Sequence, residues 1–218
     1  QPSSLFDCAK GRHQEVHDGL LNRSGGKENP YLIHQELGRT MTESATVVRH
    51  NDKMEAAYEK VVEYEERARN CSLSDTGNWT NQNVVFTKAL LDMFPLAKTI
   101  LKGAIARDEC RGAHFKPAFD LPGIEADDPA ERRRLAERWC DEFEQRNDRF
   151  LKSTIATLEE GEPQLTYEDV NTESIPPRPR LYGLVGADII EQVWKERQGE
   201  GGVVGSNKVA EEKVTAGT

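Results

Sequence analysis

What this 218-residue chain lacks narrows it first. No run approaches the ~18 consecutive apolar residues of a membrane-spanning helix, and the N-terminus has no basic stretch followed by an apolar one, so neither a span nor a secretory leader is expected. Cysteine is scarce: Cys8, Cys71, Cys110 and Cys140 are scattered without a Cys-x-x-Cys pair, which reads as reduced thiols rather than a disulfide framework or a zinc site. No Gly-x-Gly-x-x-Gly occurs, so the usual fingerprint for a dinucleotide pyrophosphate is missing. Positive charge is in deficit, 29 Lys and Arg against 38 Asp and Glu, and the net charge of -9 argues against a protein that coats nucleic acid through phosphate contacts. A soluble, acidic protein is the expectation. The sequons at Asn70 and Asn78 would matter only in a secreted chain and are read as chance.

What is present is mostly helical periodicity. Leu5, Ala9, Val16 and Leu20 suggest a first helix capped by Ser3 or Ser4 and stopped at Ser24-Gly25-Gly26. His13 and His17 stand at i and i+4 on it, but Gln14 occupies the place where a metalloprotease helix has Glu, so a solvated face is the stronger reading. Asn29-Pro30 opens a second helix with Leu32, Ile33, Leu37 and Met41 as its stripe. After the β-branched Thr46-Val47-Val48, Asn51 or Asp52 should cap a third, whose Met54, Ala57, Tyr58, Val61, Tyr64 and Ala68 turn inward while Glu55, Glu59, Lys60, Glu63, Glu65 and Glu66 face water.

Asn70 to Thr80 is turn chemistry, with Trp79 placed to staple the entry of the next helix. Thr80 or Asn81 should cap that helix, whose stripe is Phe86, Leu90, Met93 or Phe94, Ala97, Ile100 or Leu101, and Ala104. Pro95 within it predicts a kink or a break. Helices with one apolar face and short links bury those faces against each other. The expected fold is therefore mainly α, an antiparallel three-helix bundle of spectrin-repeat-like form, with a C-terminal β-hairpin and an extended tail.

The stretch Ala106 to Phe119 ends the bundle. Gly112 can adopt the left-handed conformation that stops a helix, and Pro117 prevents resumption, so Arg111 and His114 are expected on a fixed turn beside the last helical carbonyls. From spacing alone, a C-terminal cap with two favourable charges outweighs a catalytic pair. Further on, Asp128-Pro129 opens a helix to Arg149 through Leu135, Trp139, Cys140 and Phe143, with Arg132-Arg133-Arg134 read as a salt-bridged face. Phe150 to Leu158 and Gln164 to Val170 give a hairpin signal, and Gly161 suits a longer loop between them better than a tight turn. Ile175-Pro176-Pro177-Arg178-Pro179-Arg180 must be extended. Leu184 to Gln198 suggests a last helix through Val185, Ile189, Ile190 and Val193, followed by a Gly-rich, charged tail expected to be disordered.

Several of these blocks together resemble the succinate dehydrogenase and fumarate reductase flavoprotein subunit. Arg107-Asp108-Glu109-Cys110-Arg111-Gly112-Ala113-His114 is similar to that family's Glu-Ser-Arg-Gly-Ala-His signature, with Cys110 where Ser is usual. Upstream, Leu32 to Gly38, Met41-Thr42 and Thr46 to Lys53 resemble its C-terminal helical region. Downstream, Phe150 to Ala156, Leu165-Thr166-Tyr167 and Ile175 to Tyr182 continue the match, which covers roughly residues 28 to 183 in the right order.

The resemblance implies a division of the chain. Residues 1–27 would be a helix and linker from the flavin domain, 28–120 the bundle, and 121–149 an inserted loop and helix. Residues 150–183 would be the hairpin and Pro-rich arm, and 184–218 a short helix and tail. Because the chain does not begin with Met, it is expected to be a piece of a longer polypeptide or a processed one. The family oxidises succinate to fumarate, or the reverse, with FAD and passes electrons to an iron-sulfur subunit; its flavin-binding and substrate residues lie upstream of the matched region.

No catalytic, cofactor-binding or metal residue is therefore assigned in this chain, and FAD is expected only in the full-length subunit. Arg111 and His114 are expected at a domain or subunit interface. The implied partners are the chain's own flavin-binding domain, an iron-sulfur subunit and, indirectly, a membrane anchor, with no nucleic acid. The implied location is the inner face of the cell membrane, peripheral on its cytoplasmic side. Two other readings stand beside this one: a free-standing helical interaction module, and the C-terminal domain of L-aspartate oxidase, which the hairpin and the Ile175 arm disfavour.

Overall fold

A computed structural model describes residues 3–199, and the tail expected to be disordered falls largely outside them. The elements in chain order are α1 (Ser4–Leu21), α2 (Pro30–Ala45), α3 (Asn51–Arg69), α4 (Gln82–Ala106), a 3-10 turn (Pro117–Phe119), α5 (Pro129–Phe150), β1 (Lys152–Glu159), β2 (Glu162–Asp169) and α6 (Ala187–Arg197). They fall into two compact units. One contains the described residues up to Asp120 together with Thr154–Glu168; the other contains Leu121–Ser153 and the described residues from Asp169 on.

In the first unit α2, α3 and α4 form an antiparallel three-helix bundle. Its core is Ile33 and Leu37 from α2, Met54, Ala57, Val61, Tyr64 and Ala68 from α3, and Leu90, Phe94, Ala97, Leu101 and Ala104 from α4. Burying a side chain the size of Phe94 contributes ~1.5–3 kcal/mol relative to leaving it in water. The two alternatives on α4 resolve in one sense: Phe94 and Leu101 point inward, while Met93 and Ile100 are exposed. Leu32, expected on the inner stripe of α2, is also exposed. On α1 only Leu20 and Leu21 are buried, against Leu73 and Val84, and Leu5 and Val16 face outward.

Side-chain caps start most helices. Ser3 Oγ accepts from the Leu5 amide, Asn29 Oδ1 from Tyr31, Asn81 Oδ1 from Val84, and Asp128 from Ala130 and Glu131. The exceptions are α3, whose cap position is His50 and has no side-chain bond, and α6, which follows Gly186. Asn51 is the first helical residue, and its amide is used instead on Asp108 Oδ1 at 3.2 Å. Trp79 is 87% exposed and staples nothing. The helix expected to kink or break at Pro95 runs through that residue as one α4, with the Thr99 hydroxyl donating to the Pro95 carbonyl at 2.8 Å.

The hairpin closes more tightly than expected. Only Glu160 and Gly161 separate the strands, with φ of 51° and 86°, and two positive φ values in a two-residue loop are the signature of a type I′ turn. That geometry matches the twist of the paired strands, so the ladder extends to the turn and no longer loop is needed.

In the second unit α5 and α6 pack around Leu121, Ile124, Ala136, Trp139, Cys140, Ile190, Val193 and Trp194. Phe143 lies between the two tryptophans, stacked on Trp139 at 5.7 Å and edge-on to Trp194 at 5.3 Å. The arginine run is a paired face: Arg132 meets Asp188 and Arg133 meets Glu196, each at 2.6 Å. Val185, expected in the α6 stripe, precedes the helix and is exposed.

Candidate assembly joint at the end of the bundle

α4 ends at Ala106, and Arg107 beyond it is already extended. The chain then makes a miniature hairpin. Arg111 and His114 exchange backbone bonds, the Arg111 amide donating to the His114 carbonyl at 2.9 Å and the His114 amide to the Arg111 carbonyl at 3.0 Å. Gly112 has φ of 60° at the first corner of this turn, the position that requires glycine in a type II′ geometry. Its left-handed conformation thus reverses the chain six residues after the helix rather than terminating the helix.

The segment leaving the turn pairs with the link between α2 and α3. The Arg49 amide donates to the Phe115 carbonyl at 2.8 Å and the Phe115 amide to the Val47 carbonyl at 3.1 Å. This parallel bridge at Val48 ties the α2–α3 link to the turn, and His50, extended, leads into α3. Two stretches read separately in the sequence, Thr46 to Lys53 and Arg107 to His114, therefore meet in space.

Ionic side chains fasten this junction. Arg49 donates to the carbonyls of Ala45 and Thr46 at the end of α2, at 3.0 and 2.8 Å, and its third contact is His114 Nδ1 at 2.6 Å. Burial works against the guanidinium charge and lowers its pKa. The other ring nitrogen of His114 lies 2.8 Å from the Arg107 carbonyl. A guanidinium can only donate, so Nδ1 must be the bare acceptor and Nε2 must carry the proton. Burial pushes the imidazole below its usual pKa; the bond to the Arg107 carbonyl opposes it, and the positive charges of Arg49, Lys116 and Arg107 add to the lowering.

Arg111 and His114 are thus joined through backbone, while their side chains serve different partners. Arg111 binds Glu109 at 2.8 Å, and Arg107 reaches the same carboxylate at 2.7 Å, so a glutamate only 1% exposed lies between two arginines. The cation at the end of α4 is neither of the expected pair. Lys116, 1% exposed, donates to the Ile105 carbonyl at 3.0 Å and to Asp108 at 2.9 Å, where it meets the negative end of the helix dipole. Cys110 directs its thiol to the Lys116 carbonyl at 3.2 Å.

A second network escaped the sequence reading entirely. Lys98, on the core side of α4 and 4% exposed, meets Glu65 of α3 at 2.8 Å and Glu162 of β2 at 2.7 Å. The Tyr58 hydroxyl donates to the other Glu162 oxygen at 2.5 Å, and Lys102 reaches the Pro163 carbonyl. Burial, with the Glu162 contact, pushes the Tyr58 phenol up to about 12. Burial opposes the charge on Lys98, but the bonds to Glu162 and Glu65 outweigh it and raise its pKa. Glu65 is therefore a partner in a clamp and not part of the solvated face. Periodicity could place Lys98 inward, but only the hairpin, more than sixty residues away, supplies the reason to bury it.

Elsewhere His13 is exposed and His17 contacts Asp18 at 3.3 Å. Among the described residues no group of three or more His, Cys, Asp or Glu side chains is placed to hold a metal ion, and no helix is long and apolar enough to cross a membrane.

A family profile described as "Fumarate reductase flavoprotein C-term" matches residues 34–182. The succinate dehydrogenase flavoprotein subunit of Bacillus subtilis is 36% identical over 182 residues, which are 83% of this chain and 27% of that protein. The fumarate reductase flavoprotein subunit of Escherichia coli is 31% identical over 196 residues, 88% of this chain and 29% of that one. A solved structure of E. coli quinol fumarate reductase superposes with a TM-score of 0.64 at 28% identity, covering 84% of this chain and 28% of the other. The chain thus spans less than a third of the length of the relatives it matches, and it aligns with them through both strands of the joint described above. It belongs to the C-terminal domain family of the succinate dehydrogenase and fumarate reductase flavoprotein subunits.

Proposed function

We propose that this chain serves as the structural and assembly domain of a flavoprotein subunit that interconverts succinate and fumarate with FAD and passes electrons to an iron-sulfur partner, the flavin chemistry being carried by residues outside it. The observation that carries the reading is the use made of the signature residues. Arg111 is directed to a buried glutamate and His114 to Arg49 and a carbonyl, so both hold backbone in place instead of presenting an acid, a base or an anion clamp to a cleft. A second feature supports an assembly role. α4 is apolar on its outer side too, with Val85, Met93, Leu96 and Ile100 all exposed at helical spacing.

On this reading the Arg111–His114 turn lies where the helical domain meets the flavin domain or the iron-sulfur subunit. A membrane anchor is reached only through those partners, which places the protein at the inner membrane face. Arg111→Ala in the assembled subunit is expected to lower the yield of complex while leaving the apparent succinate affinity within about twofold, since the side chain is engaged by Glu109. Complex yield normalised to folded subunit, alongside steady-state kinetics, makes the test. Normal yield with a large rise in the apparent succinate constant would count against it.

A further inference from the structure

We propose that His114 and Arg49 form a proton-sensitive latch, in which a proton taken up by His114 Nδ1 expels the Arg49 guanidinium and loosens the pairing of residues 47–49 with Phe115. The geometry leaves His114 one tautomer. Its Nδ1 is 2.6 Å from a group that can never accept, and its Nε2 is 2.8 Å from a carbonyl that can never donate. Placing a second N–H in the 2.6 Å gap sets donor against donor and cation against cation, so the imidazolium cannot occupy the neutral ring's position beside Arg49.

The groups facing the ring come from every segment packed on it. Arg49 comes from the α2–α3 link, Arg107 from the end of α4, and Lys116 from beyond the turn. The nearby carboxylates are engaged by these same cations or by Arg111: Glu109 lies between Arg107 and Arg111, and Asp108 binds Lys116. Arg49 is also what closes the end of α2, through the Ala45 and Thr46 carbonyls. Its displacement therefore acts on both sides of the parallel bridge at Val48 and Phe115.

The sign follows from linkage. A histidine held below its ordinary pKa of ~6.5 binds its proton more weakly when latched than when released. The latch is therefore fully closed above that value, and it loses free energy as pH falls from there to the latched pKa. This device is independent of whether the chain acts within a flavoprotein complex, because it concerns a contact inside the bundle unit.

The test is histidine-ring 15N NMR on the 218-residue chain through a pH titration, with amide exchange read at Arg49, Phe115 and, as a reference, the α4 core residue Phe94. The expected result is an Nε2–H tautomer at neutral pH and a His114 midpoint below ~6.5, rising in Arg49→Met. Exchange at Arg49 and Phe115, corrected for intrinsic rate, should accelerate on the order of tenfold on acidification, with Phe94 unchanged. His114→Gln keeps a donor and an acceptor without titrating in this range, and should abolish the acceleration. An Nδ1–H tautomer, a midpoint at or above ~6.5, or a midpoint unmoved by Arg49→Met overturns the proposal; the wild-type titration decides it even if a variant fails to fold.

Discussion

Lys98 shows how one side chain can hold three elements. Its ammonium is almost fully enclosed, and two carboxylates, one from the adjoining helix and one from the hairpin, provide the compensation that burial demands. Lys98→Met keeps much of the volume but leaves Glu65 and Glu162 facing each other without their cation. A fully enclosed pair costs ~3–5 kcal/mol to break from one side; because Glu162 is half exposed, a loss of about 2–3 kcal/mol is expected, read as a lower urea midpoint at pH 7. A midpoint unchanged within error would mean the clamp contributes nothing net.

At this scale the sequence conveyed residue types better than partners. Arg111 and His114 could be singled out from a short signature, and Arg132 and Arg133 could be read as paired. The destination of most charges could not, because Arg49, Lys98 and Glu162 meet their partners through folds of the backbone that no local spacing encodes.

Elements were more legible, for physical reasons that act within a few residues. A polar side chain that satisfies an orphan amide is written beside the helix it starts, and Ser3, Asn29, Asn81 and Asp128 all cap where they stand. At the start of α3 the expected cap gives way in a region that a distant segment pairs with. The α2–α3 link is paired with Phe115 at Val47 and Arg49, and α3 begins at Asn51, so His50 holds the cap position where Asn51 or Asp52 was expected.

The hairpin turn is a different failure, of turn type. Glu160-Gly161 lacks the Asn or Asp that usually announces a type I′ turn, though Gly161 meets its demand for positive φ. Gly161→Ala has open space for its methyl, so the penalty should come from backbone strain alone. A loss of about 1–2 kcal/mol is expected, with exchange of the strand amides of β1 and β2 rising before that of the bundle core. No change in hairpin exchange would contradict the turn assignment.

For the molecule as a whole, the sequence blocks were informative because they are spread along the chain in order. Those from residue 32 to residue 182 fall within or beside the family match at 34–182. The three-helix core accounts for the apolar periodicity of that region, and the polar residues of the Arg-Gly-Ala-His turn are engaged in the ionic joint.

The most direct measurement is a visible absorption spectrum of the purified 218-residue chain after incubation with FAD and removal of free flavin, followed by a succinate-dependent dye-reduction assay on the same sample. A colourless protein with no succinate-dependent reduction is the predicted result. A yellow protein with a flavin spectrum, or dye reduction that depends on succinate, would contradict the assignment of this chain to structure and assembly.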